Sequence, residues 1–218
     1  MRSIRRMITV LLLALAVPAA SEAQAGRNFK DSWFFGAKAG NMTYWTLTTR
    51  HGQAPLIGGE TLITRSRGGL YLSLDQAYFD GTTLIADPTS TTGTRLLNIS
   101  DNRRFVAAAM LFPKSYGGGF IRPYGGVGFA FNFIQAITLE DGSDPAASSV
   151  GDIVEDMKTR SSPIFLAGVQ LQLLRFSVFG QGSYMPAQNS SLFNNNETYF
   201  VEAGIRYNIG SSIERIGR

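Results

Sequence analysis

The stretch ETYFVEAGIRYNI, residues 197–209, alternates apolar and polar side chains more regularly than any other part of the chain. One face carries Tyr199, Val201, Ala203, Ile205, Tyr207 and Ile209, and the other carries Phe200, Glu202, Gly204, Arg206 and Asn208. A side-chain period of two is typical of a β-strand with two different faces. In a soluble sandwich a second sheet would cover the apolar face. In a membrane barrel that face would contact lipid, and the charges would point into the lumen.

The first 25 residues have the three parts of a secretory signal peptide. Arg2, Arg5 and Arg6 form a basic region, Met7–Val17 forms an apolar core, and Ala23–Ala25 is a small-x-small cleavage site. The apolar core is too short for a spanning helix, which needs about 20 residues. Residues 1–25 are therefore predicted to be a cleaved leader, and the chain is predicted to be exported.

Composition limits the functions open to the mature chain. Without the leader, 17 basic and 15 acidic residues remain, a net charge of +2. They form no basic stripe, so nucleic acid is not a predicted partner. The absence of Cys excludes disulfides and thiol chemistry. The remaining length fits one domain, and 24 Gly with 15 Phe and 8 Tyr suit a closely curved, aromatic-rich sheet.

Eight segments have strand patterns, and the connections between them alternate in length. The predicted strands are 31–46, 56–65, 70–79, 103–112, 121–133, 164–173, 176–185 and 197–209, although the pattern does not fix the two faces of 56–65 and 103–112. Long connections near 48–55, 80–94, 138–162 and 186–197 alternate with short ones near 66–69, 113–119 and 174–175. Within the longest, 150–158 is a candidate for a short helix. A membrane barrel has this alternation of outer loops and periplasmic turns.

A soluble lipocalin-like barrel also has eight up-and-down strands, but its apolar residues point inward. Here the polar faces carry charges that a sealed apolar core would not tolerate. The predicted fold class is therefore an all-β, eight-stranded antiparallel up-and-down transmembrane β-barrel over residues 26–210. A polar C-terminal tail, 211–218, follows it.

The segments WFFGAKAG (33–40), RPYGGVGFAF (122–131) and YFVEAGIRYNIG (199–210) resemble the first, a middle and the last strand of the small eight-stranded outer-membrane β-barrels of the outer-membrane protein A and X type. The resemblance covers nearly all of the mature chain. It implies a bacterial outer-membrane location, contact with outer-membrane lipids and lipopolysaccharide, and insertion by the barrel-assembly machinery. In that family the last strand carries the insertion signal. Here the tail makes the signal internal, with Tyr207 as its aromatic residue.

Three sets of residues are candidate sites in this barrel. The predicted lumen network, structural or gating, consists of Lys38, Asp75, Arg122, Glu202 and Arg206. Phe129, Phe131, Val201 and Ile205 are predicted to face lipid, and Trp33, Trp45, Tyr199 and Tyr207 to lie at the membrane interfaces. If the last strand closes on the first, Lys38 lies opposite Gly204 and bonds Glu202 diagonally. Arg206 is then expected to pair with an acidic residue other than Glu202.

No catalytic, cofactor-binding or metal-binding residues are predicted. The lone His51 lies in a loop without a nucleophile in hydrogen-bond reach, and the acids between 140 and 156 do not have the spacing of a Ca²⁺ loop. The predicted role is structural, adhesive or surface-interacting, through a partner that binds loops 138–162 and 186–197, and the barrel is expected to be a monomer. The alternatives are a small pore or transporter for ions or apolar molecules, and a lipid A-modifying enzyme that uses His51.

Overall fold

The computed structural model describes residues 29–49, 51–87, 92–139, 158–187 and 197–212. Its strands are β1 (Ser32–Tyr44), β2 (Gly52–Arg65), β3 (Gly68–Ala86), β4 (Thr94–Leu111), β5 (Ile121–Leu139), β6 (Thr159–Leu173), β7 (Phe176–Met185) and β8 (Thr198–Ser211). Each strand pairs antiparallel with the next, and β8 pairs with β1, so the sheet closes into a barrel. The predicted eight-stranded antiparallel barrel is confirmed. None of the described segments is a helix of the length and apolarity needed to cross a membrane.

The alternation of side chains in the sequence corresponds to lumen-facing and outward-facing residues in the structure. In β7 every second side chain is buried: Ser177, Phe179, Gln181 and Ser183 point into the lumen, and Val178 and Tyr184 point out. The same alternation holds in β8, where Glu202 and Arg206 are buried and Val201 and Ile205 are exposed. In both strands these are the faces that the alternation predicted.

Five strands are longer than predicted on the side of the long connections. Most of the predicted 80–94 loop is strand, because Asp80–Ala86 pairs with Thr94–Ser100 and leaves only residues 87–93 as the connection. Similarly, β2 begins at Gly52, β5 continues to Leu139, and β6 begins at Thr159. In these extensions the outward residues mix polar and apolar side chains, such as Thr82 with Leu84 and Asn98 with Leu96. The sequence there lacks the alternation that marks a lipid-facing strand.

The pairing of β3 with β4 is irregular just beyond the predicted segment 103–112, whose own faces could not be read because both are nearly apolar. The register shifts between Ala77 and Asp80, opposite Asp101, whose φ of 52° is left-handed. Below the shift the even-numbered residues of β4, such as Arg104, point inward. Above it the odd-numbered residues, such as Leu97 and Ile99, do so. A bulge of this kind changes which residues face the lumen.

The strands are strongly tilted. A row of paired residues followed around the barrel leaves β6 at Val169 and returns to β6 at Thr159. Between these two positions it passes through Gly180, Ala203, Ala39, Ile57, Gln76, Arg103 and Phe133. A row that returns to the same strand at a different residue defines the stagger that a closed barrel requires.

Several predicted features lie outside the described residues. They are the leader at 1–25, the short helix except for Lys158, the acids at 140–156, most of the 186–197 loop, and the tail from residue 213. These remain predictions.

Candidate functional site in the barrel lumen

Lys38 is the centre of a group of buried charges halfway along the lumen. Its ammonium lies 3.0 Å from Asp75 Oδ1 and 3.1 Å from Glu202 Oε1. It also donates to the Tyr71 hydroxyl at 2.9 Å and to Ser73 Oγ at 3.2 Å. Four oxygen ligands from two strands, β3 and β8, therefore surround one ammonium group, which has only three protons to share among them.

Arg104 completes this half of the group from β4. Its Nη2 lies 2.7 Å from Asp75 Oδ2 and also bonds Glu202 Oε1, while its Nε bonds Asp75 at 3.0 Å. The guanidinium carbon stacks 3.7 Å from the centre of the Phe200 ring. Asp75 and Glu202 are thus each shared between the same two cations.

Arg206 forms a second centre with Glu60 on the short-turn side. Its Nε bonds Glu60 Oε1, and its Nη1 donates to Gln170 Oε1 at 2.7 Å. The guanidinium stacks 3.8 Å from the centre of the Phe179 ring. Glu60 is the acid that the sequence analysis required for Arg206 without identifying it.

Tyr71 and Gln181 join the two centres. The Tyr71 hydroxyl donates to Glu60 Oε2 at 2.9 Å and accepts from Lys38 and Gln181. The Gln181 amide also donates to Glu202 Oε2 at 2.6 Å. The charged lumen cluster is defined here as Lys38, Glu60, Tyr71, Asp75, Arg104, Gln181, Glu202 and Arg206, and it forms one continuous hydrogen-bonded unit.

The charged lumen cluster is electrically balanced, with three cations facing three carboxylates. The side chains of all six are almost completely buried. Removing charges from water is costly, and mutual attraction compensates only where each charge is well paired. The cluster meets that condition, although Arg104 Nη1 and Arg206 Nη2 are buried without hydrogen-bond partners.

Apolar side chains fill the lumen on both sides of the charged lumen cluster. On the short-turn side, Phe29 precedes β1 and packs on Phe34 and Phe112, with ring centres 5.7 and 4.7 Å away. On the long-loop side the buried set includes Met42, Tyr44, Leu56, Phe79, Leu97 and Ile99. The charges therefore lie between two mainly apolar layers. These layers also hold buried polar side chains that bond one another, Asn102 with Asn132 on the long-loop side and Ser177 with Gln172 on the short-turn side.

The structure separates Arg122 from the charged lumen cluster, with which the sequence analysis had grouped it. Arg122 lies at the short-turn end, where β5 begins, and is half-buried with its guanidinium 4.2 Å from the centre of the Phe29 ring. The alternation assigned it correctly to the inward face, but a pattern of faces does not give the depth in the lumen.

Glu60 and Arg104 belong to the charged lumen cluster but could not be predicted from the sequence. Glu60 lies in β2 beside two glycines, so its strand shows no clear alternation, and Arg104 is next to Arg103, so both faces of β4 carry a charge there. The pairing of β1 with β8, which closes the barrel, could be predicted. Lys38 is paired with Gly204, as expected, and bonds Glu202 on the diagonal.

The outer surface of the barrel is apolar. Phe129, Phe131, Val201 and Ile205, the residues predicted to face lipid, all point out of the barrel, and Val201 is 71% exposed. Trp33 and Tyr207 lie near the short-turn ends of β1 and β8, and Trp45 and Tyr199 lie together at the other end with ring centres 5.9 Å apart. Apolar side chains between two rows of aromatic rings form the belt of a transmembrane barrel.

His51 contacts no catalytic partner in the described part of the chain. Its ring packs edge-on against Trp45 at 5.6 Å, just before β2, which makes it part of the aromatic row at the long-loop end. Among the described residues no group of three His, Cys, Asp or Glu is arranged to hold a metal ion.

Comparison with solved structures gives the same fold. The crystal structure of Neisserial surface protein A matches with a TM-score of 0.54 and 10% identity, over 80% of this chain and 96% of that one. The outer-membrane protein OprG from Pseudomonas aeruginosa matches with a TM-score of 0.48 and 11% identity, over 84% and 99%. No family model and no curated protein sequence matches the chain.

This chain has the fold of a small bacterial outer-membrane β-barrel. The closed antiparallel sheet, the apolar belt and the polar lumen are three features of such a barrel, and the last two distinguish it from a soluble one. The predicted fold and the bacterial outer-membrane location agree with all three. The sheet closes completely, so the packing of side chains in the lumen determines whether an ion can pass through the barrel.

Proposed function

We propose that the protein is a sealed outer-membrane barrel that acts as a structural or surface-interaction protein, without catalysis and without a conducting path. The observation that carries this proposal is the charged lumen cluster between mainly apolar layers. An eight-stranded barrel is just wide enough for side chains to fill. Here six charges neutralise one another where an ion would have to pass.

A pore would need a continuous polar path along the lumen. The Phe29, Phe34 and Phe112 rings occupy the short-turn end, and the apolar set that includes Met42 and Leu56 occupies the other. An ion entering either layer would lose its hydration, which is costly. The polar groups buried there already bond one another, as Asn102 does with Asn132. The same layers keep water from screening the ion pairs.

At the long-loop end, the segment after β1 is bonded to β3. After β1 the chain crosses toward β3, where Thr46 Oγ1 donates to the Thr82 carbonyl at 2.7 Å and Thr48 Oγ1 bonds the same carbonyl. The extended ends of β3, β4 and β5 project beyond this point. A projecting sheet on a sealed barrel suits a protein that presents a surface, and loops 138–162 and 186–197 are the proposed contact regions for a partner.

Channel recording tests the proposal. Refolded mature protein is added to a planar bilayer in 1 M KCl, and a double variant that disrupts the charged lumen cluster, Lys38→Met with Glu202→Gln, is compared with it. The wild type should show no unitary currents. Stable, reproducible currents from the wild type would contradict the sealed barrel and favour the pore.

Catalysis has its own test. Lipid A from cells that produce the wild type should have the same acylation and phosphorylation as lipid A from cells that produce His51→Ala. A modification that depends on His51 would contradict the proposed absence of catalysis and favour a lipid A-modifying enzyme.

A further inference from the structure

Positive charge is distributed unevenly along the barrel axis. The charged lumen cluster is balanced, and on its long-loop side the described residues include as many cations as acids. The cations there are Arg95, Arg103, Lys158 and Arg160, and the acids are Asp80, Asp87, Asp101 and Glu197. On the short-turn side the described chain has six cations and a single acid, Asp31. These six cations, defined here as the basic rim, are Lys30, Arg65, Arg67, Lys114, Arg122 and Arg175. The excess positive charge of the described residues is therefore confined to the short-turn end.

Members of the basic rim lie in each of the three short connections and at the entry to β1. Lys30 precedes β1, and Arg65 and Arg67 lie at the β2–β3 turn. Lys114 belongs to the connection between β4 and β5, and Arg175 to the turn between β6 and β7. The β2–β3 and β6–β7 turns are four strands apart in a closed barrel of eight, so they lie on opposite sides of its mouth. The charges thus surround the mouth and do not form a single pocket.

Hydrogen bonds fix two of the turns that carry the basic rim, while its charges stay unpaired. The Arg67 carbonyl accepts from the Phe112 N–H at 2.8 Å, and the Arg175 carbonyl accepts from the Asn208 N–H at 2.7 Å. Within the described ranges no member of the basic rim forms an ion pair, and all of them except Arg122 are exposed. The charges are therefore available to an external partner.

The short-turn end offers little apolar surface around these charges. Phe29 and Phe112 pack inside the mouth and are buried. The large apolar side chains exposed in the described turns are Tyr116 and Leu174, which lie in different turns. The centre of a protein–protein interface is depleted of charge and rich in apolar groups. Separated cations without such a centre suit an extended polyanion instead.

Arg122 favours a polyanion in the water over a lipid headgroup. Its side chain points into the mouth of the barrel, where the half-buried guanidinium lies 4.2 Å from the centre of the Phe29 ring. A headgroup outside the barrel wall would not reach this cation, whereas a flexible chain that lies across the mouth would.

The short turns of an outer-membrane barrel face the periplasm. We propose that the basic rim binds peptidoglycan, the cell-wall polymer, through the free carboxylates of its peptide stems. Four of the six cations are arginines, and a planar guanidinium binds a carboxylate through two parallel hydrogen bonds. The inference rests on the proposed structural role, to which it adds a partner on the periplasmic side.

Sedimentation with purified sacculi tests the proposal. Refolded mature protein in a non-ionic detergent is mixed with native sacculi or with sacculi whose carboxylates have been converted to amides. Arg67→Gln with Arg175→Gln (the Gln pair) removes a cation from two opposite turns, and Arg67→Lys with Arg175→Lys (the Lys pair) keeps both charges. Arg103→Gln with Lys158→Gln is the matched control, because it removes two cations from the long-loop side.

The wild type should bind native sacculi in 50 mM NaCl and be released in 1 M NaCl, where charges are screened beyond about 3 Å. The Gln pair should bind about tenfold more weakly, which corresponds to 1.4 kcal/mol, and amidation should weaken wild-type binding by at least a similar factor. The Lys pair should stay within about threefold of the wild type, because it keeps the charge without the planar fork. The control should bind as the wild type does.

Equal sacculus binding by the wild type and the Gln pair, indifference to amidation, or an equal loss in the control would overturn the basic rim as the site. Phosphatidylglycerol in mixed micelles is the competing probe. If its binding depends on Arg67 and Arg175 while sacculus binding does not, the basic rim recognises a lipid headgroup and the cell wall is not its ligand.

The basic rim lies outside the charged lumen cluster, so channel recordings of the Gln pair should match those of the wild type. Currents from the wild type would contradict the sealed barrel but not this site, and a loss of sacculus binding would leave the sealed barrel intact.

Discussion

Lys38 and Glu202 meet across the seam where the first and last strands close the barrel, with Nζ 3.1 Å from Oε1. They are 164 positions apart in the chain, so the contact exists only when the whole sheet has closed in one register. A shift of β8 by two residues would preserve every inward and outward face but break this contact. The ion pair therefore helps to specify the closed register.

A double-mutant cycle on Lys38→Met and Glu202→Gln measures that contact. Each single change leaves a buried charge short of a partner and should lower the free energy of unfolding by about 3–5 kcal/mol. The double variant should lose less than the sum of the two, because side chains in contact are coupled. Urea unfolding in lipid vesicles gives the values. Strictly additive losses would show that the two side chains do not interact.

Glu60 should be as important as any residue predicted from the sequence. Glu60→Gln removes the carboxylate that pairs with buried Arg206, and we expect a loss of about 3–5 kcal/mol in unfolding free energy. Glu197→Gln is the matched control, because Glu197 only bonds the exposed Tyr199 hydroxyl at 3.0 Å. Its loss should be below about 1 kcal/mol. Equal effects of the two changes would argue against the buried pair.

Two glycines on adjacent strands test the packing inside and outside the wall. A Cβ at inward Gly204 would overlap the Ala37 carbonyl oxygen and come within 2.7 Å of the Phe179 ring. A Cβ at outward Gly180 would meet nothing within 4 Å. Gly204→Ala should therefore lower the unfolding free energy by about 1–3 kcal/mol, as overpacking does, and Gly180→Ala should leave it nearly unchanged. The reverse order would mean that the two faces are exchanged.

The depth of the apolar belt can be measured on β5 alone. Phe129, 60% exposed, lies within the belt, whereas outward Gln135 lies beyond it on the same strand. An arginine at Phe129 should cost about 2–4 kcal/mol, and one at Gln135 about 0–1 kcal/mol. Unfolding in vesicles of matched thickness gives both values. A cost that does not depend on position would contradict a membrane-spanning belt.

The alternation of side chains predicted much of this barrel because lipid and lumen impose different chemistry on neighbouring residues. It placed Val201 outside and Glu202 inside and led to the pairing of Lys38 with Gly204. The alternation was uninformative where a strand leaves the lipid belt or where the pairing of two strands is irregular. Asp80–Ala86 projects beyond the belt, and the irregularity at Asp101 reverses the faces of β4.

Partners within the lumen were harder to predict than faces. The alternation says that Arg206 points inward, but only the pairing of all strands brings Glu60 of β2 to it. The same holds for Arg104, which reaches Asp75 on the next strand and Glu202 on the far side of the barrel. Such partners depend on the stagger of the closed sheet, which no local pattern contains.

Quenching by brominated lipid measures directly whether the outward side chains of the barrel contact lipid and the lumen side chains do not. A membrane barrel with a sealed interior requires both. Trp33 and Trp45 are replaced by Phe, and a single Trp is introduced either at Val201, which points outward, or at its neighbour Phe200, which points inward. We expect strong quenching of the Val201→Trp fluorescence and little quenching of Phe200→Trp. An unquenched Val201→Trp, or equal quenching at both positions, would contradict the sealed membrane barrel.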